Sequence, residues 1–315
     1  MSFLKISEKI VLNKLKKIKN GNLKLINYDG KVFHFGSLES NLSADIKINN
    51  PKFYFNIISG GSSALGEAHM NKDFYTSNLT NLIEISAKNI ELVYSFSGSL
   101  KIKKIKNFFK SIFASNTKSK SLQYISKHYD LGNNFFSKWL DKTLTYSSAV
   151  YENENDSLEI AQKNKYQKLI DLLNVKDGNK VLEIGCGWGG FSEYLAKNYN
   201  VSIDCITISK KQFEFTKKRI SDSGLNNKVN VLFLDYRDLQ DKYDKIVSIE
   251  MIEAVGENYL GKYFETIKKS LNKDGSAALQ GITIRDDLFD RYKRSEDFIQ
   301  KYIFPGGFLP SLNLM

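Results

Sequence analysis

From about residue 159 onward, short apolar runs alternate with longer stretches whose apolar positions recur every three to four residues. The spacing predicts helices over 159–173, 190–198, 210–223 and 258–271. Between them it predicts strands over 180–184 (KVLEI), 201–207 (VSIDCIT), 229–234 (VNVLFL), 244–249 (DKIVSI) and 275–284 (GSAALQGITI). Strands that alternate with helices of ~12 residues imply an α/β fold, a parallel sheet with helices on both faces. Ligands of such sheets bind outside the carboxyl ends of the strands, at the switch point. That places EIGCGWGG (183–190), which follows the first strand, at the binding crevice.

The pattern upstream is different. Residues 22–95 mix strand-like runs (LKLINY, KVFHFG, ADIKI, KFYFNII) with a glycine turn at Gly60–Gly61 and a helical stretch around SNLTNLIEISAKNI. This is the signature of a small α+β domain. Residues 114–121, ASNTKSKS, are small, polar and uncapped and read as a linker. A helical segment begins near 121 and continues into KHYDLGNNFFSKWLDKTLTYSSAVYE. The expected domains are therefore 1–120 and 121–315.

Charge sharpens this division. Residues 1–127 carry 20 basic and 8 acidic residues, whereas 128–315 carry 26 and 27. Lysine accounts for 41 of the 46 basic residues, a bias that raises charge everywhere but does not create the asymmetry. Two segments concentrate it. In 8–19, Val11, Leu12, Leu15 and Ile18 fall at helical spacing among lysines. In 100–113, Ile105, Phe108, Phe109, Ile112 and Phe113 form a stripe opposite Lys103, Lys104, Lys106 and Lys110. A basic amphipathic helix of this kind suits an anionic membrane surface; the bland alternative is a helix that packs its stripe on its own domain. Arginine is scarce and no nucleic-acid module is recognised, so nucleic acid is not an expected partner. The 2 cysteines, Cys186 and Cys205, suggest neither a disulfide framework nor a metal cluster. With no signal peptide and no run of ~18 apolar residues, the expected setting is cytoplasmic.

Gly185, Gly187 and Gly190 match G-x-G-x-x-G, a pattern shared by dinucleotide and S-adenosylmethionine sites. A dinucleotide site wants an acid about 20 residues on, at the end of the second strand. Here that strand ends in Thr207-Ile208-Ser209, and Asp204 falls mid-strand. Glu183, two residues before Gly185, could pair with a ligand ammonium, which S-adenosylmethionine has and NAD lacks. Asp235-Tyr236, after the third strand, offers an acid and an aromatic to bind and stack an adenine. The bland alternatives are a solvated carboxylate and a rim aromatic. S-adenosylmethionine is the favoured ligand, and an NAD enzyme would require nicotinamide binding.

VLEIGCGWGGF, TISKKQ, DYRDL, EMIEAVG and KYIFPGGFLPS, with HYDLGNNFF…LTYSSAVY upstream, together resemble the cyclopropane-fatty-acyl-phospholipid synthase family. SGGSSALGEAHM resembles the family's N-terminal region, so the likeness runs from about residue 25 to the last. The resemblance implies a Rossmann-like methyltransferase sheet and a lipid-associated N-terminal α+β domain. It implies transfer of the S-adenosylmethionine methyl to a cis double bond of a phospholipid acyl chain. Loss of a proton to a bound bicarbonate ion then closes a cyclopropane ring. Family contacts to S-adenosylmethionine fall on Tyr146, Ser147, Glu183, Gly185, Cys186, Gly187, Trp188, Gly189, Thr207, Ser209, Gln212, Asp235 and Tyr236. Glu253 matches the family's active-site glutamate; its bland alternative is a carboxylate at a helix N-terminus. Gln280, Ile282, Ser148 and His128 complete the implied catalytic set, with no metal. The implied partners are an unsaturated phospholipid in an anionic membrane, approached from its inner face, and a second copy of the chain.

Three departures stand out. Ser148 replaces a common cysteine, and serine serves if that position contributes its backbone amide. Gln280 replaces a common histidine and cannot titrate. The chain stops at Met315, where family members continue, so the sheet is expected to lack its C-terminal strands and a tyrosine of the anion site. Alternatives within the family are a methyl-branched lipid, methylation of a small-molecule amine, or a truncated form that binds cofactor and membrane without turnover.

Overall fold

A computed structural model describes residues 3–96, 116–129, 132–294 and 296–315, except for the side chains at 62 and 125–129. The chain divides into two compact units, Met1–Phe113 with Ser295–Phe298, and Ala114–Arg294 with Ile299–Met315. The basic segment 100–113 lies outside the described residues.

In the first unit, helix α1 (Phe3–Leu15) is followed by β1 (Asn22–Ile26), β2 (Val32–Gly36), β3 (Ser43–Ile48), α2 (Lys52–Met70), β4 (Phe74–Tyr75), α3 (Leu79–Lys88) and α4 (Ile90–Phe96). The sheet order is β2-β1-β3-β4, with β1 parallel to β3 and the outer pairs antiparallel. Leu25, Ile48, Tyr54 and Ile85 anchor its core. Two expectations change here. KFYFNII is helix rather than strand, beginning after Pro51, whose fixed φ suits a helix start. Gly60–Gly61 is not a turn between elements but a kink inside α2, where Gly61 has φ 61° and ψ −139°. The stripe Val11, Leu12, Leu15 and Ile18 packs on its own unit's core, so it is not available to lie on a membrane.

The second unit carries the site. Helices α5 (Lys118–Tyr129) and α6 (Asn133–Phe136) lead through an irregular stretch to α7 (Leu158–Leu173). Residues 116–121 are no linker. Asn116 is buried and its Nδ2 donates to the carbonyls of Ala254 (3.1 Å) and Gly306 (3.0 Å), and α5 starts at Lys118. Then β5 (Lys180–Ile184), α8 (Gly190–Asn198), β6 (Ser202–Thr207), α9 (Lys210–Asp222), β7 (Val229–Phe233), β8 (Tyr243–Ile249), α10 (Leu260–Ser270), β9 (Leu271–Gln280) and α11 (Asp286–Lys293) follow in order. The five strands are parallel in the order β7-β6-β5-β8-β9. Val181, Leu182, Ile184, Ile203, Ile246 and Val247 are almost fully buried, as a sheet covered on both faces requires. The order reverses between β5 and β8, so their carboxyl ends flank the crevice. The last strand ends at Gln280, not Ile284, because its pairing with β8 stops at Ile249↔Gln280.

Candidate active site

One half of the crevice grows from β5, β6 and β7. The chain leaves β5 through Gly185–Gly189 and enters α8. Gly187 sits at φ 52° with open space where a Cβ would be, so its backbone can be approached closely. A Cβ on Gly189 would lie 2.5 Å from Thr216 Cγ2, so that glycine serves packing. Glu183 is buried, not a solvated strand-end carboxylate, and Ser192 Oγ on α8 donates to its Oε2. Burial pushes the Glu183 carboxyl up to about 8, against the opposing pull of the Ser192 hydrogen bond and Lys165. At the end of β6, Thr207 Oγ1 donates to Gln212 Oε1 (3.0 Å) and accepts from the Ser209 amide (3.1 Å). Ser209 Oγ in turn caps α9 by accepting from the Gln212 amide.

Several side chains expected to touch the cofactor are turned elsewhere. Cys186 is buried in the core beside Cys205, and its hydrogen bond with that thiol, together with burial, raises its pKa. Trp188 is buried too, with its Nε1 donating to Asn133 Oδ1 (2.8 Å) and its ring against Phe136. These two can offer a ligand only their backbone. Tyr236 is a core residue rather than a rim aromatic, packed edge-on against Tyr263 with centroids 5.5 Å apart. Asp235 Oδ1 accepts from the Arg237 backbone N–H and Nε (2.9 and 2.8 Å), and its Oδ2 from Nη2 (2.6 Å). These bonds to Arg237 hold its carboxyl below the usual range despite burial. Asp204 accepts from Asn230 Nδ2 and Tyr243 Oη, both at 2.9 Å, and so is committed to structure rather than to a ribose.

The other half grows from the ends of β8 and β9 and the irregular stretch before α7. Glu250, the residue after β8, adopts φ 46°, a left-handed backbone that costs a non-glycine residue roughly 1–2 kcal/mol. Its amide still donates to the Gln280 carbonyl (2.8 Å). Its Oε1 accepts from the Ser148 amide (2.9 Å), Ser148 Oγ (3.0 Å) and Gln280 Nε2 (2.9 Å). Gln280 Nε2 also reaches Ser147 Oγ at 3.2 Å and Ser148 Oγ at 2.9 Å. Behind them, Lys165 Nζ donates to Ser147 Oγ (2.9 Å) and the Ser148 carbonyl (2.8 Å), while Gln162 Nε2 donates to the Ser147 carbonyl (2.8 Å). Burial lowers the Lys165 pKa to about 8, against the pull of Glu250, Asp141 and Glu183. Glu253 lies in a short 3₁₀ turn, not at an α-helix N-terminus. Its Oε1 accepts from the Ile282 amide, while its Oε2 is buried without a partner among the described residues. Burial raises its pKa. The Ile282 side chain is 48% exposed, so its part here is its N–H. Tyr146 stacks with Phe304 (centroids 6.0 Å) and meets Trp139 edge-on (5.2 Å), and burial chiefly raises its pKa.

Thus Ser147, Ser148, Gln280, Ile282 and Glu253 gather beside the ends of β8 and β9, with Glu183, Gly187, Thr207, Ser209 and Gln212 at the ends of β5 and β6. The side chain of His128, on α5, lies outside the described residues. Sequence reasoning missed Glu250, Lys165 and Arg237. Lys165 had a signal, since with Gln162 it interrupts the apolar stripe Ala161, Tyr166, Leu169, Ile170 and Leu173 of α7.

A family model for mycolic acid cyclopropane synthetase matches residues 116–315. The chain is 36% identical over 283 residues to the cyclopropane-fatty-acyl-phospholipid synthase of Escherichia coli K12, covering 88% of this chain and 69% of that enzyme. It is 32% identical to the tuberculostearic acid methyltransferase UfaA1 of Mycobacterium tuberculosis, covering 80% of this chain and 60% of that one. Among solved structures, the M. tuberculosis cyclopropane synthase MmaA2 superposes with TM-score 0.57 at 31% identity, over 61% of this chain and 71% of that one. The mycolic acid cyclopropane synthase CmaA1, complexed with SAH and CTAB, superposes with the same TM-score at 30% identity, with the same coverage.

Proposed function

Since the chain belongs to the mycolic acid cyclopropane synthetase family and is an S-adenosylmethionine-dependent methyltransferase, we propose that it adds a one-carbon unit to the cis double bond of an unsaturated phospholipid acyl chain and closes a cyclopropane ring. The observation that carries this reading is the meeting of two unlike half-sites in one crevice. One is a glycine loop with an approachable backbone; the other is a pair of carboxylates beside aromatic rings.

The residues present fit S-adenosylmethionine. Gly187 leaves open space, Glu183 supplies a buried acid, and Thr207, Ser209 and Gln212 cluster at the end of the next strand. When bound, S-adenosylmethionine supplies an electrophilic methyl group. An alkene is a weak nucleophile, so the protein must align it and keep water out. Tyr146, Trp139 and Phe304 present ring faces and edges that tolerate an acyl chain and stabilise developing positive charge. Glu253, with one oxygen held by Ile282 and the other unpartnered among the described residues, adds a fixed negative potential. A carboxylate oxygen then takes a proton from the added carbon.

The lipid would be met at a membrane surface. Supporting this are the basic excess of residues 1–127 and relatives named for lipid substrates. No helix among the described residues is long and apolar enough to cross a membrane. The test is incubation of the enzyme with vesicles of unsaturated phospholipid and S-adenosylmethionine carrying a CD₃ methyl. Acyl chains gaining CD₂ support ring closure. Retention of CD₃ points to a methyl-branched product, and labelled amines with unlabelled lipid overturn the lipid reading.

A further inference from the structure

The resemblance implies a bound bicarbonate ion, with Ser148, Gln280 and Ile282 in the implied catalytic set. The donors of this protein do not fit such an ion, because its own carboxylates already use them. The Ser148 amide, Ser148 Oγ and Gln280 Nε2 all point to one atom, Glu250 Oε1. The Ile282 amide points to Glu253 Oε1. Residue 250 reaches this place from the end of β8, and it does so from a left-handed backbone that glycine would adopt at less cost. Position 250 thus carries a strained non-glycine residue whose carboxylate is seated where an external anion would sit.

We propose that Glu250 is the general base of the reaction, a built-in carboxylate that replaces a diffusible anion. This rests on the alkene-methylation reading above. After the S–CH₃ bond breaks and a C–C bond forms, one alkene carbon is left cationic. A Glu250 carboxylate oxygen takes a proton from the added carbon, and the released C–H electron pair forms the second C–C bond of the ring. The protonated carboxyl then passes its proton to water. Gln280, which cannot titrate, suits this arrangement: it donates to the base without competing for the proton. Ser148 does the same through its amide and hydroxyl. Lys165, bonded to Ser147 Oγ and the Ser148 carbonyl, is a positioning residue for this cradle.

The experiment compares wild type with Glu250→Gly and Glu250→Gln, in buffer stripped of carbon dioxide and in buffer with added bicarbonate. Glycine relieves the left-handed backbone, so the first variant should fold, and a melting curve checks this. Wild-type turnover should be indifferent to bicarbonate. Glu250→Gln should lose on the order of 10²–10⁴-fold, the usual worth of a general base. Glu250→Gly should lose as much without bicarbonate and recover part of it when bicarbonate is added. Independently of turnover, ¹³C-bicarbonate NMR should show binding to Glu250→Gly and none to wild type. Bicarbonate bound by wild type, wild-type activity that collapses in stripped buffer, or an active Glu250→Gln would overturn the proposal. If wild type methylates no alkene, the alkene-methylation reading falls. The ¹³C measurement then still decides whether Glu250 fills the anion seat, with binding to wild type refuting it.

Discussion

At the ends of β5, β6 and β7 the polar side chains close on near neighbours: Thr207 with Ser209 and Gln212, Asp235 with Arg237, Glu183 with Ser192 nine residues on. At the ends of β8 and β9 the bonds span far greater stretches of chain. Glu250 is held by a residue 102 positions away and another 30 positions away, and Glu253 by one 29 positions on. The first half is a local framework that any correctly folded strand–loop–helix unit provides. The second exists only when the tertiary fold is complete, and there two carboxylates are brought together with amide, hydroxyl and carboxamide donors. Binding should therefore respond to changes in the first half and turnover to changes in the second.

The largest expected effect tests that division. Glu253→Gln keeps an acceptor for the Ile282 amide but removes the charge, so turnover should fall on the order of 10²-fold or more. S-adenosylmethionine affinity by calorimetric titration should stay within about twofold of wild type. A parallel loss of both would erase the distinction between the halves. Next in size is Asp235→Asn, which leaves the mostly buried Arg237 guanidinium short of its counter-charge. Urea unfolding should show a loss of about 1–3 kcal/mol. Unchanged stability would mean that the pair is only ornament at the crevice. A smaller contrast separates two glycines. Gly187→Ala should weaken S-adenosylmethionine binding about tenfold and cost about 1 kcal/mol of stability for its positive φ. Gly189→Ala, which also meets Thr216, should lose more stability than that. Equal losses would show that both act through packing.

The smallest effect is in pH. Because the folded Glu183 carboxyl is raised to about 8, the stability that it contributes is present below the unfolded carboxylate range and is lost as pH rises through about 8. A ligand ammonium favours the ionised form, so S-adenosylmethionine affinity should rise a few-fold between pH 6 and 8 and then level. Glu183→Gln should flatten that rise. A wild-type profile flat over the same interval would show that the acid does not meet the ammonium.

Much of the second unit was legible in the sequence because period and punctuation agreed. Helix 190–198 runs from glycine loop to strand as expected, and β5 is KVLEI. KFYFNII misled because seven largely apolar residues carry no decisive period, and only Pro51 hinted at a helix start. The strand expected to reach Ile284 stops at Gln280 because its partner turns away at Glu250. In the site, Glu183 and the glycine loop were readable because local spacing makes them. That the Tyr236 ring is buried against Tyr263 was not readable, because it is decided by α10, some 27 residues on. Glu250 stood in plain view in EMIEAVG. What gives it a role is a backbone angle and three remote donors, which no local pattern encodes.

The left-handed backbone at 250 has a genetic corollary. Glycine occupies that conformation freely, and the glycine codons GGA and GGG become glutamate codons by a single G-to-A change. A carboxylate at this strand end can be gained or lost in one nucleotide step without redirecting the main chain. The origin of the proton acceptor is thereby an easily mutable trait in a sheet whose architecture stays the same.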